Sequence, residues 1–201
     1  MKIICIGRNY AEHAKEMNAQ LPSSPIFFMK PESALLRTRD FFYPKFTNDL
    51  HYECEIVLKI DKVGKNIQEK FANTYYSSFS LGIDFTARDL QENCKKKGLP
   101  WEIAKSFDQS APLSEHWFSI NEVKDQIDFE LKLNGKSVQK GNSKDMIFSF
   151  DNIISYVSKY VTLKRGDLIF TGTPSGVGAV KIGDNLKASL MGKEILNLNI
   201  R

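Results

Sequence analysis

Two glutamates one residue apart stand near the start of HYECEIVLKI, His51 to Ile60, and an aspartate, Asp84, closes the apolar run ending in GID. Alternate side chains of a strand share a face, so Tyr52, Cys54, Ile56, Leu58 and Ile60 make one apolar row. His51, Glu53, Glu55 and Lys59 fall on the other side, and by alternation alone this is an antiparallel strand with solvated glutamates. If Asp84 joins Glu53 and Glu55, the three carboxylates form an all-oxygen set suited to magnesium, manganese or calcium rather than zinc. Three anions gathered at one point need a cation to offset their repulsion. The plainer reading of Asp84 is a residue that helps the next helix to start.

Arg88 and Gln91 lie at i, i+3 on that helix, where they share a face and could hold an anionic substrate against a metal; a simple Arg88–Glu92 pair at i, i+4 is the duller alternative. His13 and Glu16 have the same spacing on an earlier short helix, so the carboxylate can fix the imidazole tautomer and raise its basicity. His51 and His116 are weaker candidates. The glycine-rich TGTPSGVG, Thr171 to Gly178, lacks the spacing of a nucleotide loop, although its backbone amides could cup a carboxylate. There is no G-x-S-x-G elbow, and none of the cysteines stands in a nucleophile motif, which argues against a covalent nucleophile.

The elements that must position these groups are short. Lys2 to Ile6 reads as a buried strand, Tyr10 to Met17 as a weakly anchored helix, and SPIFFMKP as a strand ended by Pro31. Tyr75 to Ile83 is strand-like, with Thr86 and Asp89 spaced as a capping box for a helix that Lys95, Lys96, Lys97 and Gly98 finish. IDFELKLNGKSVQKG is a hairpin around Asn134-Gly135, a pair suited to a type I′ turn. Ile153, Ile154, Val157 and Val161 then recur at helical spacing behind Ser149 or Asp151. Glycine-punctuated strands end the chain, so the pattern is β-rich α+β without Rossmann-like alternation.

The chain has 201 residues, enough for one core, and no linker divides it, so a single domain over 1–201 is expected. A net charge of +4 without a basic run gives no reason to invoke nucleic acid, and no apolar stretch is long enough to span a membrane. Three widely spaced cysteines, Cys5, Cys54 and Cys94, suggest neither a disulfide framework nor a zinc site and fit a reducing cytoplasm.

Taken together, IGRNYAEHAKEM, HYECEIVL, GIDFTARDLQENCKKKGLPWEIAKSFDQSAP, IISYVSK and GDLIFTGTPSGVG resemble the fumarylacetoacetate hydrolase family, in its short acylpyruvase and oxaloacetate decarboxylase branch. The resemblance implies a mixed β-roll fold, a homodimer, and Mg2+ or Mn2+ held by Glu53, Glu55 and Asp84. It also implies a His13–Glu16 base dyad on a lid helix, an active-site Lys105, and Arg88, Gln91 and Thr173 lining the site of a small 2-oxo acid. Cys54 departs from the aliphatic residue usual there, with packing consequences only.

The activity implied first is metal-dependent C–C hydrolysis of acylpyruvates to pyruvate and a carboxylic acid, with oxaloacetate decarboxylation as a second activity. The alternatives are an isomerase, tautomerase or hydratase of 2-oxo-enoic diacids or oxaloacetate, and, from another class, a noncatalytic metal-binding protein.

Overall fold

The computed structural model describes residues 1–16, 20–123 and 126–201. The first half of the chain carries strands β1 (Ile3–Gly7), β2 (Ile26–Lys30), β3 (Leu35–Leu36), β4 (Asp40–Phe41), β5 (Leu50–Tyr52), β6 (Cys54–Ile60), β7 (Tyr76–Ile83) and β8 (Thr86–Ala87). The second half carries β9 (Ala111–Pro112), β10 (Phe118–Ser119), β11 (Asp128–Leu133), β12 (Lys136–Asn142), β13 (Leu168–Phe170), β14 (Gly178–Ala179), β15 (Asn185–Leu190) and β16 (Lys193–Ile200). The helices are α1 (Ala11–Glu16), α2 (Glu69–Ala72), α3 (Arg88–Lys97), α4 (Glu102–Lys105) and α5 (Phe150–Ser158). The β-rich α+β expectation is met; the Met17 end of the first helix lies outside the described residues.

The main sheet runs β10-β7-β6-β13-β1-β2, and β1 and β13 are its parallel neighbours. A second sheet, β12-β11-β15-β16-β4, packs beside it, and β14-β5-β8 forms a small third one. The hairpin turn forms as read, with φ of 51° at Asn134 and 80° at Gly135, the positive pair a type I′ turn requires. Ser149 caps α5 through its hydroxyl, which accepts from Asn152 N–H, but the helix stops at Ser158, short of Val161.

The strand read as continuous from His51 to Ile60 is interrupted at Glu53, and its two halves join different sheets. Its second half, β6, lies between β7 and β13 with both faces covered. Cys54, Ile56, Leu58 and Ile60 enter the larger apolar cluster and Val57 a second cluster on the opposite side. Each such aliphatic side chain removed from water contributes about 1.5–3 kcal/mol, so β6 is anchored from both directions. The solvated face expected from alternation is therefore absent here: Glu53 and Glu55 are 6% and 1% exposed.

The Thr86–Asp89 capping box does not form. Thr86 pairs with His51 across β8 and β5, and its hydroxyl donates to Asp84 O. The Asp89 carboxylate is taken by Thr47 Oγ1 at 2.6 Å and Asn48 N–H at 3.0 Å, so a tertiary contact replaces the local one. The other end of α3 closes as read, with Gly98 at φ 64° and its N–H turned back to the Cys94 and Lys95 carbonyls.

Candidate active site and metal centre

The interruption at Glu53 builds the site. Asp84 N–H donates to Glu53 O at 2.7 Å just beyond the paired ends of β6 and β7, so both strand ends open at one point. Oxygen atoms of Glu53, Glu55 and Asp84 lie there within 4.8 Å of one another, all buried. Asp84 thus contributes its carboxylate to this cluster and leaves the helix start to other residues.

Cations surround the anions. Arg88 Nη2 donates to Glu53 Oε1 at 2.6 Å, and its Nη1 donates to Gln91 Oε1 at 2.6 Å, so Arg88 is not spent on Glu92. Lys105, the last residue of α4, bridges Glu53 Oε2 at 2.8 Å and Asp84 Oδ2 at 2.7 Å. Burial works to raise the Glu53 carboxyl, but Lys105, Arg88 and His13 outweigh it and hold it well below the usual carboxylate range. Burial likewise opposes the Lys105 charge, yet Asp84 and Glu53 keep its ammonium above its ordinary value. Glu55 differs: burial first, then Asp84 and Glu53, push its carboxyl well up.

These residues fit a hard divalent cation. Asp84 Oδ1 is buried and accepts no directed hydrogen bond among the described residues. Among the described residues Glu55 is met by one donor, Gly172 N–H at 2.8 Å to Oε2. Asp84 already faces ammonium groups, but the buried Glu55 carboxylate with so little support is costly to ionise without a cation beside it, and an all-carboxylate donor set suits magnesium or manganese.

The glycine-rich segment cups carboxylates belonging to the chain itself. Gly172 serves Glu55, while Gly176 N–H lies 3.1 and 3.2 Å from the two oxygens of Glu16. Gly172 has φ 101°, and a Cβ there would stand 2.6 Å from Asn9 Cβ, so no other residue fits without displacing Asn9. Glu16 Oε2 is 3.2 Å from His13 Nδ1, which leaves the far ring nitrogen available for proton transfer. Thr173 Oγ1 donates to Cys54 O at 2.8 Å and accepts from Gln139 Nε2 at 2.9 Å, so its only hydrogen is already committed.

One cavity is lined by His13, Glu53, Glu55, Asp84, Arg88, Gln91, Lys105 and Thr173. Of the residues the resemblance assigns to the site, Glu16 alone is absent from the lining and stands behind it, against His13. His51 and His116 stay outside it: His51 bonds Asp49 at 2.9 Å, and His116 contacts Lys193 at 2.9 Å. Sequence reasoning missed Arg8, Lys30 and Gln139. Arg8 lines the cavity at a φ of 58°, uncommon for a residue with a Cβ, and makes no ion pair or side-chain hydrogen bond among the described residues. Its place in IGRNY, beside the helix of the His–Glu pair, was the one available signal. Lys30 and Gln139 carry no local signal.

Fold and site define a β-rich α+β domain with three buried acids that could hold a metal ion, and comparison gives the family. The chain matches the family described as fumarylacetoacetate (FAA) hydrolase C-terminal over residues 2–200. It is 43% identical over 202 residues to the Mus musculus protein named oxaloacetate tautomerase FAHD1, mitochondrial, covering 99% of this chain and 91% of that one. The Dictyostelium discoideum oxaloacetate decarboxylase, mitochondrial, is 43% identical over 195 residues, covering 95% and 89%. Fumarylpyruvate hydrolase from Pseudomonas aeruginosa, solved in complex with Mn2+ and pyruvate, superposes with a TM-score of 0.94 at 36% identity, covering 100% of this chain and 89% of that one. The chain belongs to the fumarylacetoacetate hydrolase family. Among the described residues no helix is long and apolar enough to cross a membrane.

Proposed function

We propose that this protein is a divalent-metal-dependent enzyme that forms and quenches the enolate of a small 2-oxo dicarboxylate of the oxaloacetate kind, interconverting its tautomers and releasing carbon dioxide from it. The observation that carries the reading is one buried cavity lined by three carboxylates, the Lys105 ammonium and His13. Glu53, Glu55 and Asp84 would hold Mg2+ or Mn2+, which when bound supplies Lewis-acid polarisation of the 2-oxo oxygen.

The chain's own groups supply the rest. Lys105 places positive charge where enolate charge develops. His13, oriented by Glu16, takes a proton from C3 and returns it to carbon or oxygen, which is tautomerisation. Arg8 at the cavity wall, together with Arg88 and Gln91, receives the substrate carboxylates. In decarboxylation the C–C electron pair passes into the enolate as carbon dioxide leaves, and a proton then returns to carbon. The relatives named oxaloacetate tautomerase and decarboxylase support this order of preference.

Acylpyruvate hydrolysis is the second reading, favoured by the His13–Glu16 contact, which also suits activation of water, and by the fumarylpyruvate hydrolase neighbour. There, water adds to the distal carbonyl, its proton goes to His13, and the C–C bond breaks to release pyruvate enolate.

A panel of oxaloacetate, acetylpyruvate, fumarylpyruvate and a 2-oxo-enoic diacid, each with Mg2+, Mn2+ and chelator, tests both readings. We expect metal-dependent turnover, fastest on oxaloacetate; faster acylpyruvate cleavage would exchange the two readings, and inertness throughout would leave the noncatalytic metal-binding protein. The assembly we propose is a homodimer, checked by a sedimentation mass of two chains of 22.9 kDa each. Three free, buried cysteines support a reducing compartment such as the cytoplasm.

A further inference from the structure

β2 ends at Lys30, whose side chain is 0% exposed. Its ammonium lies 2.9 Å from Asp84 Oδ1 as a charge pair and donates to Ser110 Oγ at 2.9 Å. The carbonyls of Phe85 and Ser110, both at 3.3 Å, and of Lys105 complete its shell. Ser110 Oγ in turn donates to Lys105 O at 3.0 Å. One ammonium therefore ties together the end of β2, the Asp84–Phe85 link beyond β7, the last residue of α4 and the Ser110 loop. Lys30 is not among the residues that line the cavity, so it does not touch a substrate there.

A buried ion pair seldom stabilises a protein more than apolar residues of the same volume would, so stability alone is a poor reason for a lysine at this position. The two oxygens of Asp84 are divided between two lysines: Lys30 faces Oδ1 from inside the fold, and Lys105 holds Oδ2 from the cavity side. We propose that Lys30 is a positioning residue. It fixes Asp84 and the end of α4 so that the carboxylate meets the metal, and the Lys105 ammonium the substrate, in one set geometry. The inference rests on the metal-dependent reading above and deepens it.

Position and charge predict opposite signs. Were Lys30 only a nearby positive charge, removing it would tighten a divalent cation, because a like charge is lost. A positioning role predicts weaker binding, since the partners that orient metal ligands are commonly worth 10–100-fold in affinity.

The test is Mn2+ titration of the full chain, stripped of metal beforehand, followed by calorimetry and by the Mn2+ electron paramagnetic resonance signal, at a temperature where circular dichroism shows each variant folded. Lys30→Met should raise the Kd for Mn2+ by about tenfold or more. Ser110→Ala, which keeps the lysine but removes its hydroxyl link to Lys105, should raise it about threefold, a fraction of the same effect. Unchanged or tighter Mn2+ binding in both Lys30→Met and Ser110→Ala overturns the positioning role. If Lys30→Met does not fold, Ser110→Ala decides alone. A wild-type chain that binds no Mn2+ overturns the functional reading itself, and this inference with it.

Discussion

Glu53, Glu55 and Asp84 stand at the ends of two long strands paired with each other, whereas His13 and Glu16 ride on a helix of six residues across the same cavity. On the carboxylate side, ion pairs to Arg88, Lys105 and Lys30 and the ladder through β13 hold the groups in place. On the helix side the restraints among the described residues are Ala14 N–H to Tyr10 O at 3.0 Å, a bridge from Tyr10 to Met146, and the Gly176 amide on Glu16. A helix this short is marginal by itself, so its position depends on those tethers. On the proposed reading the two halves match their tasks, because metal ligands must be held in advance while a proton-transfer group must let substrate in and out.

Attacking the rigid side should do the most damage. Asp84→Asn removes a ligand and leaves Lys30 and Lys105 facing a neutral amide, which should cost about 3–5 kcal/mol of stability; Mn2+ titration and chemical denaturation measure both losses. His13→Gln strikes the tethered side and should lower turnover by about 10²–10⁴-fold with Mn2+ affinity and melting temperature unchanged. If His13→Gln also releases the metal, the separation between the two sides is wrong.

Acidity sharpens the comparison within the rigid side, because Glu53 and Glu55 are displaced in opposite directions. Glu53, held low, contributes stability above its unfolded value of about 4.3 and loses it only as pH falls below that. Glu55, held high in the metal-free chain, contributes below about 4.3 and loses that contribution as pH rises through its elevated native value. As pH rises above about 4.3, metal-free protein should therefore lose stability that metal-loaded protein keeps. The gap in melting temperature between Mn2+ and chelator should widen with pH, and a constant gap would show Glu55 already ionised without metal. The smallest effect is expected one residue along β6, where Cys54→Ala deletes a buried thiol from the opposite face. It should cost about 1 kcal/mol and leave metal affinity unchanged.

How far the sequence disclosed all this depended on whether the deciding contact was local. The Asn134-Gly135 turn, the Ser149 cap and the Gly98 stop follow from neighbouring residues alone and formed as read. The Thr86–Asp89 box failed because Thr47 and Asn48, some forty positions back, captured Asp89. Alternation located the two glutamates but misjudged their surroundings, since periodicity cannot tell a central strand from an edge strand. Lys30 was invisible for the same reason: only the fold brings Asp84, Ser110 and the end of α4 around a lysine that ends an ordinary strand.

The contact between Gly172 N–H and Glu55 carries a consequence for the order of assembly. It joins residues 117 positions apart, and Asn9 Nδ2 reaches Thr171 O across 162. Closing loops of that length comes late and slowly in folding. A chain still being synthesised can pair β6 with β7 and present all three acids, yet their amide support arrives only when β13 inserts between β6 and β1. Metal capture should therefore be among the last events of maturation, coincident with docking of the final third of the chain.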